Sequence, residues 1–192
     1  MAIGLLGGSF DPIHHGHLIV AQALVEALGL EELRFVPARE QPFKQGRHRA
    51  PAELRARMVG LAIAGEPKLA LEFAELGRPG PSYSVDTLRL LREREPGREL
   101  VLLVGADAAA DLPLWREVEA LPALARIVAF GRPGSAGTRS PLIERIVPVP
   151  WVEISATDIR RRVREGLSIR YRVPDAVAEI IAAHGLYLNG NG

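Results

Sequence analysis

The sequence predicts an α/β fold in which helices cover both faces of a parallel β-sheet. Short apolar runs of strand length alternate with helical patterns, and turn residues stand at the junctions. Alternating strands and helices form right-handed crossovers, which make the sheet parallel. The length of 192 residues fits one domain. We therefore expect a single domain, with a Rossmann-like, doubly wound parallel sheet of about five strands in residues 1–150 and a small C-terminal helical cap in residues 151–188.

The first half of the chain is predicted to contain three strands and two helices. The strands are expected at residues 2–6, 33–37 and 69–73. Residues 17–28 are apolar around most of a helix circumference and stop before Gly29, which predicts a buried helix with a glycine end. A second helix should start at Pro51, and Leu54 and Met58 mark its apolar face.

The alternation of strands and helices continues in the second half. A helix is expected at residues 85–95, with Ser84 as its N-terminal cap. A further helical stretch is expected around residues 115–121. Strands are expected at residues 99–104, 126–130 and 146–149.

The end of the chain is predicted to be helical. Residues 131–141 have the composition of a loop. Helical patterns then cover residues 156–164 and 175–184, and Pro174 opens the second of these helices while Gly185 ends it. We expect both helices to cap the carboxyl edge of the sheet, where parallel sheets bind their ligands.

Composition excludes several classes of function. The chain has no cysteine, which excludes disulfides, thiol chemistry and cysteine-based zinc sites. The formal net charge is only +1, whereas nucleic-acid-binding domains are usually strongly basic. The chain shows neither the pattern of a signal peptide nor an apolar run of the roughly 20 residues that a membrane span requires. We therefore expect a cytoplasmic protein that binds no nucleic acid and no membrane.

The first candidate functional motif, residues 7–17, joins the first strand to the first helix. It contains two adjacent glycines, which allow a ligand to approach the backbone closely, and it ends where the N–H groups of a helix can face an anion. His14 and His17 lie near this helix start. At a triphosphate they would donate hydrogen bonds, and the anion would favour their protonated forms. A double glycine can also be only a tight turn, and two histidines could bind a metal, although no third ligand is evident nearby; His15 is interpreted as structural.

The second motif, residues 154–160, is predicted to open the first C-terminal helix. Ser155 and Asp158 have the spacing of a capping box, so Ser155 should start the helix. Capping alone would account for these two residues. Arg160 lies in the next turn, and its planar guanidinium could bind the same anion as the free N–H groups of the helix. The arginines that follow are expected to form a solvated face.

Together the two motifs resemble the signatures of the HxGH nucleotidylyltransferase superfamily. They stand in the expected order, about 140 residues apart. Over residues 3–188 the chain is similar to the bacterial nicotinate mononucleotide adenylyltransferases. The landmarks of this similarity are residues 81–88, 105–107, 113–115, 131–134 and 173–187.

This resemblance implies an enzyme, a nicotinate-nucleotide adenylyltransferase of NAD biosynthesis. Such enzymes transfer AMP from ATP to nicotinate mononucleotide and form nicotinate adenine dinucleotide (deamido-NAD) and pyrophosphate. The implied partners are ATP and nicotinate mononucleotide, with Mg²⁺ brought by ATP and no metal site of the protein's own. Self-association into a homo-oligomer is compatible with this function.

The resemblance also implies roles for the residues that match the family's motifs. The implied catalytic residues are His14, His17 and Arg160. The implied ATP-binding residues are Gly7, Gly8, Ser9, Phe10, Gly16, Asp107, Ser155 and Thr157. The implied mononucleotide-binding residues are Lys44, Ser84, Trp115 and Arg132.

Residue chemistry gives several of these roles a reason. The indole face of Trp115 can stack on an electron-poor pyridinium ring, although packing in the core is an alternative. Asp107 follows a strand end, where a carboxylate can accept hydrogen bonds from ribose hydroxyls, and the resemblance assigns that ribose to the adenosine. Arg132 suits the mononucleotide phosphate, unless it is a surface arginine. Residues 82–84 would supply backbone N–H groups to the substrate's carboxylate.

Three positions depart from the family's pattern. Phe43 stands where the family usually has histidine, in the sequence Pro-Phe-Lys, while Lys44 is retained as an expected phosphate contact. Ala156 stands where serine is common, and Ser84 where threonine is common. These departures concern the contacts with substrate and leave the reaction unchanged.

Several alternative functions share part of this pattern. The acceptor could be nicotinamide mononucleotide, or the enzyme could accept both mononucleotides. Pantetheine-phosphate adenylyltransferases are usually shorter and lack the middle section that carries Trp115. A non-catalytic nucleotide sensor would not need to retain the residues of both motifs. An RNA-binding module would depend on the arginines of residues 160–164 alone, and the small net charge disfavours it.

Overall fold

The computed structural model describes residues 2–40, 49–131, 140–150 and 152–188. Its strands are β1 (Ala2–Gly8), β2 (Glu32–Pro37), β3 (Leu69–Leu71), β4 (Glu99–Gly105), β5 (Arg126–Gly131) and β6 (Arg145–Pro148). They form one parallel sheet with the order β3-β2-β1-β4-β5-β6. The predicted α/β fold is confirmed. The sheet has one strand more than the expected five, because the strand expected at residues 146–149 pairs with β5 and extends the sheet.

Helices flank the sheet on both sides. They are α1 (His15–Leu28), α2 (Ala52–Ala62), α3 (Ser84–Arg94), α4 (Ala106–Ala110), α5 (Leu121–Leu124), α6 (Ala156–Arg164) and α7 (Asp175–Ala183). Two 3₁₀ turns, at Leu112–Leu114 and Val118–Ala120, lie between α4 and α5. Within the described residues, no helix has both the length and the apolar character that crossing a membrane requires.

The strands are apolar at successive positions because both faces of the sheet are covered. In β1, Ile3 and Leu5 belong to the core layer that packs with α3 and α5, and Leu6 belongs to the opposite layer. That opposite layer is shared by α1, α2 and α7, and it contains the fully buried Met58 of α2 and Val177 of α7. The C-terminal helix α7 therefore packs on the same apolar layer as the first helix, near the carboxyl edge of β1.

Three predicted boundaries are wrong in informative ways. The first helix starts at His15 rather than at residue 17, because His14 takes the capping position and bonds to the ring of His17. Ser84 is the first helical residue of α3 and not its cap, which is Tyr83. The single helix expected around residues 115–121 is replaced by 3₁₀ turns and short helices, because Trp115 is extended and Glu117 has a left-handed backbone with φ 49°.

Candidate active site

Two adjoining cavities open at the carboxyl end of the sheet, beside the reversal of strand order between β1 and β4. One has a volume of about 1010 Å³ and surrounds the turn after β1 and the start of α6; we call it the histidine cavity. The other has a volume of about 790 Å³ and lies between the start of α3 and Trp115; we call it the tryptophan cavity. Gly7, Gly8, Gly105 and Phe130 line both cavities. Ligands of parallel sheets bind at this position.

The glycine turn after β1 brings the backbone close to both cavities. A Cβ added at Gly8 would lie 2.8 Å from Cζ of Phe10, so no larger residue fits there. At Gly7 a Cβ would meet nothing within 4 Å, and the absent side chain leaves this space to a ligand. Phe10 has a left-handed backbone conformation with φ 47°, and its ring packs edge-on against His17 and Phe35. The buried ring of Phe10 therefore holds the turn in shape.

The two histidines of the first motif lie at the start of α1 and contact each other directly. The N–H of His14 donates to Nδ1 of His17 at 3.2 Å, and the two rings stack with centroids 3.7 Å apart. Because Nδ1 of His17 accepts this bond, the ring proton of neutral His17 is on Nε2. Nδ1 of His14 is buried, and the described part of the chain offers it no hydrogen-bond partner. The pair has polar atoms available for a ligand in the histidine cavity.

Gly16, between the two histidines of the first motif, is a glycine for a steric reason. A Cβ at this position would lie 3.0 Å from Nδ1 and 3.1 Å from Cε1 of His14. Only glycine leaves the imidazole of His14 in this position without displacement. The role of Gly16 is therefore to make room for a neighbouring side chain.

Burial controls the charge of both imidazoles. Burial and, to a smaller extent, the charge of the neighbouring His15 together lower the pKa of His14 to about 4. Burial also lowers the pKa of His17 well below its usual value, with an added contribution from His14. In the structure without ligand, both rings are therefore neutral at neutral pH. The protonated forms expected beside a triphosphate require the anion to offset the cost of burying the charge.

The second motif places an arginine beside the first. Ser155 Oγ accepts the N–H of Asp158 at 3.1 Å, so the predicted cap of α6 is confirmed. The guanidinium of Arg160 donates to the backbone carbonyl of Asp11 at 2.8 Å and to Thr157 Oγ1 at 3.2 Å. Thr157 and Arg160 line the histidine cavity, whereas the Ser155 side chain is exposed and used by the cap. The two motifs therefore meet at the carbonyl of Asp11.

Asp11 is a connecting residue that the sequence analysis did not single out. Its side chain is 4% exposed; Oδ2 accepts the N–H of Arg49 at 2.7 Å, and Oδ1 accepts the N–H of Ala50 and the Tyr187 hydroxyl. Burial raises the pKa of Tyr187, and the charge of Asp11 raises it further, so the hydroxyl stays protonated and donates. Asp11 thereby joins the first motif to the residues before α2 and to the C-terminal end. The signal available in the sequence was the position of this aspartate inside the first motif, between Phe10 and Pro12.

Arg55 is a second connecting residue that sequence reasoning missed. It is fully buried in α2 and donates to the backbone carbonyls of Ser9, Ala38, Arg39 and Ala50. Burial lowers the pKa of Arg55, although an arginine remains charged at neutral pH. These contacts tie the glycine turn to the loop after β2. Its spacing of three residues from Met58, on the apolar face of the predicted helix, was the signal in the sequence.

Asp107 lies between the two cavities. It stands in the first turn of α4, a short helix that directly follows β4 and was not predicted. Its side chain is exposed and lines both cavities. A carboxylate in this position can accept hydrogen bonds from the hydroxyl groups of a ligand that extends from one cavity into the other.

The tryptophan cavity is lined by aromatic and polar groups. Ser84, the first residue of α3, lines it together with Trp115, which is half-buried and packs at the margin of the core. Trp115 therefore lines the cavity and also contacts the core, so each of the two expectations for it is correct in part. Arg116, which the sequence analysis did not select, lies over the ring of Tyr83 at 4.9 Å and pairs with Asp86 at 3.7 Å.

Two predicted contacts with the mononucleotide, Lys44 and Arg132, lie outside the described residues, as does Phe43. Described residues that precede these segments in the chain line the cavities. Ala38 lines the tryptophan cavity and Gly131 the histidine cavity.

The chemistry of the two cavities differs. The histidine cavity combines Arg160, two imidazoles and the start of α1, which together suit a polyphosphate. The tryptophan cavity offers an indole face and the N-terminus of α3, which suit an aromatic ring that carries an anionic group. Across residues 2–40, 49–131, 140–150 and 152–188, no group of three histidine, aspartate or glutamate side chains is placed to hold a metal ion.

Comparison with known proteins identifies a matching family and relatives that cover almost the whole chain. The cytidylyltransferase-like family model matches residues 5–162. The probable nicotinate-nucleotide adenylyltransferase of Thermus thermophilus is 50% identical over 189 residues, which cover 97% of this chain and 100% of the relative. The protein of the same description from Thermomicrobium roseum is 46% identical over 194 residues, covering 96% of this chain and 91% of the relative.

Solved structures show the same fold in more distant proteins. Plasmodium falciparum nicotinic acid mononucleotide adenylyltransferase complexed with NaAD matches with a TM-score of 0.80 and covers 97% of each chain, at 20% identity. The same protein complexed with APC matches with a TM-score of 0.78, covering 97% of this chain and 96% of the other. At this level of identity the likeness demonstrates the fold alone.

Proposed function

The chain belongs to the cytidylyltransferase-like family and, within it, to the nicotinate-nucleotide adenylyltransferases. We propose that it binds ATP and nicotinate mononucleotide in its two cavities and transfers AMP from the first to the second. The enzyme is a nucleotidyltransferase that uses ATP, and its products are nicotinate adenine dinucleotide and pyrophosphate. The observation that supports this most is the shared wall of the two cavities at Gly7, Gly8 and Gly105. Two ligands bound side by side across this wall could react with each other.

The reaction needs little covalent help from the protein. The phosphate of the mononucleotide is ionised at neutral pH, so one of its oxygens can attack the α-phosphorus of ATP without a general base. A new P–O bond forms as the bond between the α-phosphorus and the bridging oxygen breaks, and pyrophosphate leaves with the electron pair. The protein contributes positioning and neutralisation of charge, as in phosphoryl transfer generally.

The histidine cavity would hold the phosphates of ATP. His14, His17 and Arg160 line it with donors that can follow the charge as it moves onto the leaving pyrophosphate. Thr157 and the free N–H groups at the start of α6, which Ser155 caps, would add neutral donors. The backbone at Gly7, Gly8, Ser9, Phe10 and Gly16 would allow close approach of the nucleotide, and Asp107 would accept from its ribose.

The tryptophan cavity would hold the nicotinate end of the acceptor. Trp115 would stack on the pyridinium ring, and the N–H groups at Ser84 would receive the carboxylate. Lys44 and Arg132 remain proposals for the mononucleotide phosphate. This division assigns one substrate to each cavity and places the reacting atoms near Asp107 and the glycine turn.

Mg²⁺ would enter as part of the substrate. The described residues do not fit a metal site of the protein's own, since they hold no cluster of three ligands and the carboxylate of Asp11 already accepts three hydrogen bonds. Mg²⁺ retains waters and binds substrate phosphates readily. We therefore treat MgATP as the substrate and assign no step to a protein-bound metal.

Three further proposals follow from the same function. Residues 1–192 would act as one domain, in which the subdomain of residues 151–188 brings Arg160 to the first motif. The enzyme would work in the cytoplasm without a nucleic-acid partner. A homo-oligomer is compatible with these proposals, and sedimentation would measure its size.

The test of the proposed function compares two acceptors. Pyrophosphate release from MgATP is measured with nicotinate mononucleotide and with nicotinamide mononucleotide, and with no acceptor as the control. We expect nicotinate mononucleotide to be used much better, because a carboxamide turns an N–H₂ toward the N–H donors and leaves buried groups unpaired. Each such group costs about 1–3 kcal/mol, roughly ten- to a hundredfold in kcat/KM.

The other outcomes separate the alternatives. Equal kcat/KM for the two mononucleotides would identify an enzyme of dual specificity. If phosphopantetheine is tested as a third acceptor, release with it and with neither mononucleotide would identify the related acceptor class. No release with any acceptor, by protein that still binds MgATP, would identify a nucleotide sensor and contradict the proposed function.

A further inference from the structure

Glu75 is a buried carboxyl group in the wall of the tryptophan cavity. It lies in the segment between β3 and α3, is 8% exposed, and does not line the histidine cavity. Charged side chains are rarely buried without a partner, because removal from water disfavours the charged form. The reaction outlined above gives this group no role.

The main partner of Glu75 is a hydroxyl group at the start of α3. Thr87 Oγ1 donates to Glu75 Oε1 at 2.9 Å, and the nearby Ser82 side chain also favours the charged form of this carboxyl group. Arg78 in turn donates to Thr87 Oγ1 at 2.7 Å. Burial raises the pKa of Glu75, while the bond from Thr87, the Ser82 side chain and the charge of Arg78 act in the opposite direction. Glu75 therefore connects the first turn of α3 with the segment that enters it.

The loop after β2 holds the same segment from the other side. The N–H of Arg39 donates to Ser82 Oγ at 3.1 Å, and the N–H of Ser82 donates to the carbonyl of Glu40 at 2.8 Å. The Arg39 guanidinium donates to the carbonyl of Leu76 at 2.8 Å. Residues 82–84 are therefore fixed between Glu75 and this loop.

These residues present the N-terminus of α3 to the cavity. The first N–H groups of a helix have no acceptor within the helix. The described residues provide no acceptor for the N–H groups of Ser84 and Val85, whereas those of Asp86 and Thr87 donate to the carbonyl of Tyr83. A carboxylate only accepts hydrogen bonds, while a carboxamide also donates them. The placement of this helix end therefore affects how well the two groups are distinguished.

We propose that Glu75 is a positioning residue for the acceptor: by binding the hydroxyl group of Thr87, it fixes the N-terminus of α3 where that helix end receives the carboxylate of the mononucleotide. This inference rests on the proposed function. Glu75 should affect binding of the acceptor but not binding of ATP, because it lines the tryptophan cavity and not the histidine cavity.

The test measures kcat and KM for both substrates in the full-length protein. Glu75→Ala removes the acceptor of the Thr87 hydrogen bond and should raise KM for nicotinate mononucleotide about tenfold. The ratio of kcat/KM for nicotinate over nicotinamide mononucleotide should fall by a similar factor, while KM for MgATP stays within about twofold. Glu75→Gln keeps one accepting oxygen and should recover part of the loss.

Glu72 is the matched control. Its side chain is also largely buried and pairs with Arg34 at 3.4 Å and Arg94 at 3.6 Å, but it lines neither cavity. Glu72→Ala should lower Tm without changing the acceptor ratio. The comparison separates loss of positioning from general loss of stability.

Thr87→Val provides a second route to the same contact, since it keeps the shape of the side chain and removes the hydroxyl. It carries the test if Glu75→Ala does not fold. Parental acceptor KM and ratio in the folded variants would overturn the proposal, as would an equal rise of KM for acceptor and MgATP. The parent protein must first release pyrophosphate with nicotinate mononucleotide; a parent that does not do so contradicts the proposed function instead.

Discussion

The two cavities of this enzyme are built in different ways, although they share a wall. The histidine cavity is assembled from buried groups that are tied together across the chain, with the carbonyl of Asp11 bound to Arg160 and its carboxylate bound to Tyr187. The tryptophan cavity is lined by the ends of β1 and β4, by the start of α3 and, around Trp115, by 3₁₀ turns, where Leu114 is 71% exposed. The histidine cavity is fixed by internal bonds, whereas only the α3 side of the tryptophan cavity is fixed in this way, through Glu75, and the side that carries Trp115 is partly exposed.

This difference between the cavities predicts which kinetic parameter a mutation in each of them should change. Groups that stabilise charge during reaction must be preorganised, because only interactions that strengthen in the transition state raise kcat. Groups that recognise the acceptor act mainly on binding and selectivity. We therefore expect changes in the histidine cavity to lower kcat, and changes in the tryptophan cavity to raise KM for the acceptor or alter its ratio.

The largest expected effect is that of His17→Ala. His17 is held by the N–H of His14 and by the ring of Phe10, so its Nε2 is preorganised toward the histidine cavity. Loss of one preorganised donor typically lowers kcat by about 10²–10³, and KM for MgATP should change much less. Steady-state kinetics with both substrates varied would measure this. His15→Ala is the control, because the His15 side chain does not line the cavity; near-normal kcat in His17→Ala would remove His17 from the catalytic residues.

Arg160→Lys should have the next largest effect, although it keeps the charge. The arginine binds the carbonyl of Asp11 and Thr157 Oγ1 through two different nitrogens, which a single ammonium group cannot reproduce. Hydrogen bonds to charged groups contribute about 1.5–3 kcal/mol, so kcat/KM for MgATP should fall roughly ten- to a hundredfold.

The control for Arg160→Lys is Arg162→Lys on the same helix. Arg162 donates to the carbonyl of Ser168 and does not line the cavity. Circular dichroism should show unchanged helix content in both variants, because Ser155 still caps α6. Parental kinetics of Arg160→Lys at every MgATP concentration would make Arg160 a surface cation only.

The histidine cavity was also the more predictable of the two. The capping position of Ser155 and the approach of both motifs to one carboxyl edge follow from local spacing and from the rule for parallel sheets. The bond between Tyr187 and Asp11 joins residues 176 positions apart, and no periodicity in the sequence indicates it. It forms because the packing of α7 on the core brings that end of the chain to the turn.

The tryptophan cavity was predicted less well because the wall that carries Trp115 is not a regular element. Within the predicted helix of residues 115–121, Trp115 is extended and Glu117 has a left-handed backbone with φ 49°, so the chain forms 3₁₀ turns and a short helix there instead. The stacking of Arg116 on Tyr83 joins this wall to the start of α3 and depends on tertiary contacts alone. Sequence patterns therefore identified Trp115 as a candidate residue but did not indicate the shape of its cavity.

Trp115→Ala tests whether the tryptophan cavity binds the ring that both acceptors share. Stacking of a cationic ring on an indole contributes about 1–2 kcal/mol, so KM should rise roughly five- to thirtyfold for nicotinate and for nicotinamide mononucleotide alike. The ratio of their kcat/KM values should stay the same, because stacking does not involve the exocyclic group. Trp115→Phe should restore part of the binding. A change in the ratio without a change in KM would assign Trp115 to selectivity and not to stacking.

The smallest expected effect is that of the charge of Arg116, which tests how the tryptophan cavity distinguishes a carboxylate from a carboxamide. Its guanidinium lies 4.9 Å from the centre of the Tyr83 ring, in the wall that also contains Ser84. A cation there favours a carboxylate over a neutral carboxamide by Coulomb attraction alone. The Arg116 side chain is 52% exposed and shares its charge with Asp86 and Glu117, so solvent and these partners weaken the attraction.

Arg116→Gln should therefore lower the nicotinate-to-nicotinamide kcat/KM ratio by only about two- to fivefold at low salt. The difference from the parent should shrink as salt is added, because salt screens exposed charges. Arg89→Gln is a matched control: Arg89 pairs with the same Asp86 and Glu117, but it does not line the cavity, so its removal should leave the ratio unchanged. Arg116→Lys keeps the charge and should keep most of the selectivity. If Arg116→Gln and Arg89→Gln give the same ratio as the parent at low salt, selection of the carboxylate depends on the N–H groups of α3 and not on a charge at the cavity edge.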